Sequence, residues 1–120
     1  MANLEAIAEH ASQFDVPGHA VIGTTLDGNV VYWNRTASDL FGWSAEEVIG
    51  KPITEITPSP EAREKATEIM EHLQAGQPWS GLFTMRRADG SEFTARVRDL
   101  PVHDPVGRLI GIVGVTTPAS

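Results

Sequence analysis

An α+β fold, with an antiparallel sheet and helices gathered on one of its faces, is what the 120 residues predict. Strand-like stretches lie near the start, at Ala20 to Trp33, and fill the last third, from Trp79 to Thr116. The segment between them carries helix caps, helix stops and apolar residues at helical spacing. Runs of strands flanking a helical block belong to the α+β class. The length and a hydrophobic content of 41% suit one domain with one core of its own.

Asn3 to Phe14 opens the chain as a short amphipathic helix. Leu4, Ile7, Ala8, Ala11 and Phe14 share one face, and Glu5, Glu9 and Gln13 point away from it. Val16-Pro17-Gly18 breaks the pattern, and the apolar, β-branched run Ala20 to Thr25 reads as a strand. Asp27-Gly28 then turns the chain into a second strand at Asn29 to Trp33, which predicts an antiparallel hairpin. Asn34 is placed to cap a brief helix through Ala37, Leu40 and Phe41, stopped by Gly42. Ser44-Ala45-Glu46-Glu47 is a capping box for another short helix, which ends near Gly50-Lys51-Pro52. Pro58 and Pro60 fix the entry to the longest helix, whose Ala62, Ala66, Ile69, Met70 and Leu73 form one stripe and whose stop is Gly76. Three strands follow, at Trp79 to Arg87, Ser91 to Leu100 and Arg108 to Thr116, with Asp89-Gly90 and the segment His103 to Gly107 as their connections.

Leu26-Asp27-Gly28-Asn29-Val30-Val31-Tyr32-Trp33-Asn34, then Ala37, Leu40-Phe41-Gly42-Trp43 and Glu46-Glu47-Val48-Ile49-Gly50-Lys51-Pro52, resemble the signature half of a PAS domain. Arg86-Arg87-Ala88-Asp89-Gly90-Ser91 resembles its later hairpin, and the likeness runs from about Val16 to Thr117. The resemblance implies a PAS fold: a five-stranded antiparallel sheet whose concave face is covered by the short helices and the long one, with a pocket between. It divides the chain into an N-terminal helix at 1–15, a PAS domain at 16–117 and the end of a fragment at 118–120. The pocket it implies is lined by Ile56, Ile69, Met70, Leu73, Phe83, Met85, Phe93 and Val97, with Leu40 and Trp43 at the wall. Read from periodicity alone these are inward-facing apolar positions, and a filled core with no room for a ligand accounts for them equally.

The function implied is a non-catalytic sensory and regulatory module of a larger, bacterial-type signalling protein, of the kind found in two-component pathways. It would perceive a signal through a small apolar ligand and pair with a second copy of itself. A ligand-free protein-interaction domain is the alternative, and a haem-based gas sensor a third reading. Leu4, Ile7, Ala11 and Phe14 would supply an apolar seam for a homodimer. Arg96 and Arg98, two apart on one strand face opposite Ala95, Val97 and Asp99, offer either a solvated sheet face or a dock for an acidic helix, the segment bearing Glu5 and Glu9 being an internal candidate. Val115-Thr116-Thr117-Pro118-Ala119-Ser120 departs from the Asp-Ile-Thr type of junction by which many PAS domains couple to an output helix, so the coupling element is expected to be missing or altered: either the chain is a fragment of a larger signalling protein, or output passes through the N-terminal helix and the sheet.

The chemistry open to the chain is narrow. It has no cysteine, which excludes disulfides, thiolate catalysis and the cysteinyl-flavin adduct of the light-oxygen-voltage subgroup. Noncovalent flavin finds few Asn or Gln residues to hold it. Pro58 to Lys65 resembles the helix entry of haem-binding PAS domains, but Lys65 stands where the histidine would be, and His72 is a candidate ligand only if the site is shifted; an exposed histidine beside Glu68 and Glu71 is the plainer account. No histidine or carboxylate spacing describes a metal site. Glu61, Glu64, Glu68 and Glu71 read as the wet face of the long helix, with Glu61 and Lys65 as a favourable pair. Asp99 and Asp104 have no adjacent base or nucleophile, so no catalytic group is expected. Sixteen acidic against nine basic residues, a net charge of -7, disfavour nucleic acid. The chain has no apolar run of membrane-spanning length and is expected to be cytoplasmic.

Overall fold

A computed structural model describes residues 2–119, with the backbone alone at Ala2, Asn3 and Pro60. Met1 and Ser120, the outermost residues of the expected terminal segments, lie outside the described residues. The elements run in the expected order: α1 (Ala2–Ser12), β1 (Ala20–Thr25), β2 (Val30–Trp33), α2 (Arg35–Phe41), α3 (Ala45–Val48), two 3-10 turns (Ile53–Glu55 and Pro60–Ala62), α4 (Arg63–Gln74), β3 (Trp79–Arg86), β4 (Glu92–His103) and β5 (Leu109–Pro118). The five strands form one antiparallel sheet in the order β2-β1-β5-β4-β3, which brings the first and last thirds of the chain together at β1 and β5.

The start signals act as the sequence predicts. Asn34 caps α2, its Oδ1 accepting from the Ala37 amide at 2.9 Å. Ser44 and Glu47 exchange the reciprocal bonds of a capping box at the start of α3. The amide and hydroxyl bonds from Ser44 hold the Glu47 carboxyl below the usual carboxylate range.

Each face of the sheet carries its own core. On the concave face, Ile22, Trp33, Phe41, Leu73, Phe83 and Val97 belong to one buried cluster beneath α2, α3 and α4. On the other face, α1 lays Ile7 and Ala11 onto Val21, Val102, Ile110 and Val113. That close seat needs glycine below it. A Cβ at Gly111 would stand 2.5 Å from Ile7 Cδ1 and 2.6 Å from the Thr24 carbonyl oxygen.

Two strand ends differ from expectation: β5 runs on to Pro118, where the pattern predicts an end at Thr116. β4 continues through Pro101 to His103, where the pattern predicts an end at Leu100. Its pairing with β3 ends at Trp79 and Asp99, so Pro101 sits on a free edge and its missing N–H costs the sheet nothing on that side. The Glu61 to Lys65 ion pair does not form either. Glu61 lies in the 3-10 turn ahead of α4, which takes it out of the four-residue helical register, and Lys65 Nζ rests over the Trp79 ring instead, 6.0 Å from its centroid.

Candidate functional site

The concave face does not close completely. Between it and α4 lies a partly open cavity of about 90 Å³. Ala66, Ile69, Met70 and Leu73 of α4 form its roof, and Ile53 and Thr57 close one side. The strands supply the floor, in rows set by the register. One row runs Ile22, Gly114, Asp99, Trp79 across β1, β5, β4 and β3. Beside it, Thr116 and Val97 face each other on β5 and β4. Phe83 and Met85 of β3 complete the apolar wall.

Asp99 is the one ionisable side chain among the described lining residues. The strand alternation that buries Ala95 and Val97 turns it inward with them. It is half-buried and lines the cavity. Its carboxyl leans toward β5: a Cβ placed on Gly114 would stand 2.7 Å from Oδ1, so the glycine is what makes room for it. Desolvation by the surrounding protein pushes its pKa from 3.8 up to about 7. Thr24, 4% exposed, also lines the cavity, and its Oγ1 has no hydrogen-bond partner.

Six of the expected pocket residues, Ile69, Met70, Leu73, Phe83, Met85 and Val97, line this cavity. The other four do not. Leu40, Trp43 and Phe93 pack against the core, and Ile56 is buried within it. Phe93 and Trp43 are tied into an aromatic cluster. Phe41 stacks at tilted angles on Trp33 and Phe93 with centroids 5.5 and 5.7 Å apart, and Trp33 Nε1 donates to the Trp43 carbonyl at 2.9 Å. Asp99 is the lining residue that the lack of a catalytic partner in the sequence hides. Its signal was present: a carboxylate at the inward phase of Phe93, Ala95, Val97.

The expected interaction residues divide likewise. Ile7 and Ala11 are fully buried against the chain's own sheet, so a seam made of them is already filled within one chain. Leu4 stays 41% exposed and Phe14 is half-buried. Arg96 and Arg98 are exposed on the outer face, where with His19, Ser80 and Val115 they border a shallow groove. Neither is ion-paired with Glu5 or Glu9, because α1 packs over β1, β2 and β5 and leaves the outer face of β3 and β4 largely uncovered.

A family profile described as PAS fold matches residues 5–118. The chain belongs to the PAS family. This PAS domain is 32% identical to the C4-dicarboxylate transport sensor protein DctS of Rhodobacter capsulatus over 91 residues, which make up 74% of this chain and 14% of that protein. It is 24% identical to the aerotaxis receptor of Escherichia coli over 81% of this chain and 19% of the receptor. A probable serine/threonine-protein kinase of Dictyostelium discoideum is 29% identical over 72% of this chain and 5% of the kinase, a match local to one part of it. The chain thus spans less than a fifth of the length of each of these relatives. Among solved structures, the PAS domain of a Colwellia psychrerythraea protein superposes with a TM-score of 0.80 at 24% identity, covering 92% of this chain and 93% of that one. A light-oxygen-voltage domain does so at 0.77 and 22% identity, covering 93% and 83%. At these identities the structural likeness speaks for the fold. A PAS domain is a sensory signalling module, and two of the relatives are named as a sensor and a receptor.

The larger PAS cofactors do not fit this domain. A benzene-sized guest occupies a cavity of roughly 150 Å³, so about 90 Å³ admits neither haem nor an isoalloxazine ring. His72 is exposed, and the inward position beside it on α4 belongs to Leu73. The described residues contain no cluster of three or more His, Asp or Glu placed to hold a metal ion. No described helix is long and apolar enough to cross a membrane.

Proposed function

We propose that this PAS domain perceives its signal as the occupancy of the cavity under α4 by a small, mostly apolar molecule, and relays it within a larger signalling protein. The observation that carries the reading is the cavity itself. It lies in the core of the domain, and α4 roofs it with Ala66, Ile69, Met70 and Leu73. A ligand acts on such a domain only if it binds two arrangements of it with different affinity, and a helix seated partly on empty space is an element whose packing an occupant can change.

Native mass spectrometry of freshly purified protein tests this. The expected result is a small mass excess that is lost on denaturation and is absent from Ala66→Leu, which fills the roof. Bare chain mass in both proteins, together with no spectral response to added small apolar probes, would overturn it.

A second reading, a protein-interaction domain that joins chains, is favoured by the outer face of β3 and β4. There Leu82 is 53% exposed beside the two arginines. This face, with Leu4 and Phe14 at the rim of α1, is where we place homodimer contact. A dimer peak in the same spectra that Leu82→Glu abolishes supports it, and a monomer at every concentration removes it.

A further inference from the structure

The concave face holds one carboxylate that the fold does not pair. Among the described residues Asp99 takes part in no ion pair; the one salt bridge there is Arg35 with Asp39, exposed and remote in sequence. The groups around it are apolar or uncharged: Ile22 on β1, Gly114 and Thr116 on β5, Trp79 on β3, Ile69 and Leu73 on α4. Lys65, on the helix that roofs the cavity, holds its ammonium over the Trp79 ring, 6.0 Å from its centroid. A carboxylate turned into an apolar cavity is costly unless an opposite charge meets it. Yet the strand opposite has a glycine at the one position where any side chain would displace it.

We propose that the cavity is a receptor site for a small primary amine, its ammonium group paired with Asp99 and its short alkyl tail against Ile69, Leu73 and Phe83. The identification rests on the ligand-sensing reading above. The volume sets the size: at about 90 Å³, below the roughly 150 Å³ that holds benzene, the guest has about four or five non-hydrogen atoms. The lining sets the charge. A carboxylate guest meets like charge, an alcohol gains a hydrogen bond but leaves Asp99 without a counter-ion, and an ammonium satisfies it while donating up to three hydrogen bonds. Thr24 Oγ1, buried and unpartnered at the same wall, is a second polar atom without a role in the fold.

The test is a titration of the ¹⁵N-labelled domain, followed by NMR, with n-butylamine, n-butanol and sodium butyrate. It is run at about pH 8.5 and about pH 5.5, where the amine stays cationic throughout. Butylamine is expected to move the amides of β4, β5 and α4 and to bind at least about tenfold more tightly than butanol at the higher pH. That preference is expected to fall about tenfold at the lower pH, where Asp99 is protonated, and to vanish in Asp99→Asn. Butanol binding as well as the amine, or an amine affinity indifferent to pH, would overturn the amine assignment while leaving a ligand site in place. Failure of all three probes to move cavity amides would sink both. If Asp99→Asn does not fold, the comparison of the two pH values in the unaltered domain decides alone.

Discussion

Asn34 makes four hydrogen bonds from a nearly buried position. Its Oδ1 accepts from the Val21 and Ala37 amides, and its Nδ2 donates to Asp15 Oδ1 and the His19 carbonyl. One side chain thus starts α2 and ties β1 to the segment after α1. Asn34→Ala removes the cap and strands the Val21 amide, so a loss of about 2–4 kcal/mol in denaturant unfolding is expected. Asp99 works in the opposite direction. Its pKa in the fold, about 7, lies above the ordinary 3.8, so between those values the folded state holds a proton that the unfolded chain has released. Stability from this group therefore falls as pH rises from about 4 to about 7 and is level above that, a loss of up to about 4 kcal/mol. Asp99→Asn is expected to remove this component and to melt several degrees higher than the unaltered domain at about pH 8. Equal melting temperatures for the two proteins there would refute it. The cap could be read from the sequence because it acts on residues three positions away. The strained carboxylate could be read only as a break in an apolar alternation, since its cost depends on Gly114 and α4, which sequence order does not place beside it.

Among the elements, α1 and β5 depend most directly on each other. Gly111→Ala would set a methyl group against both Ile7 and the Thr24 carbonyl, and the backbone partner cannot yield as a side chain can. We expect a loss of at least about 1–3 kcal/mol, with hydrogen exchange rising first in α1. Unchanged protection of α1 in the variant would show that the helix is held by its ends and not by this seat. The amphipathic pattern of α1 was plain in the sequence, and so were its inward residues. What they face was not: a stripe of Leu4, Ile7, Ala11 and Phe14 describes a seam for a second chain as well as for the chain's own sheet. The choice was made by Gly23 and Gly111, whose missing side chains open the sheet surface to Ile7. The same holds for the wall residues: Trp43 and Phe93 are drawn into the aromatic cluster around Trp33 and Phe41, and Leu40 packs against the core without reaching the cavity.

At the scale of the molecule, two apolar layers share one five-stranded sheet, and neither layer closes without it. Unfolding should therefore be a single transition. The three tryptophans, Trp33, Trp43 and Trp79, all belong to the concave layer, whereas α1 belongs to the other. Fluorescence and far-ultraviolet circular dichroism are expected to report coincident midpoints in urea, and a dichroism change preceding fluorescence would show α1 leaving by itself. The α+β class and the element order were legible because strand and helix periods differ and the turns are marked by Asp-Gly pairs. The strand order was not, since it is fixed by the long-range meeting of β1 with β5. That meeting leaves β5 bare on opposite sides at two nearby points: Gly111 beneath α1 and Gly114 beside Asp99. Between a greasy helix on one side and a lone anion on the other stands no more than the thickness of a peptide backbone. The amide groups from Gly111 to Gly114 are thus a window open to both compartments, and one set of resonances there reads the state of each.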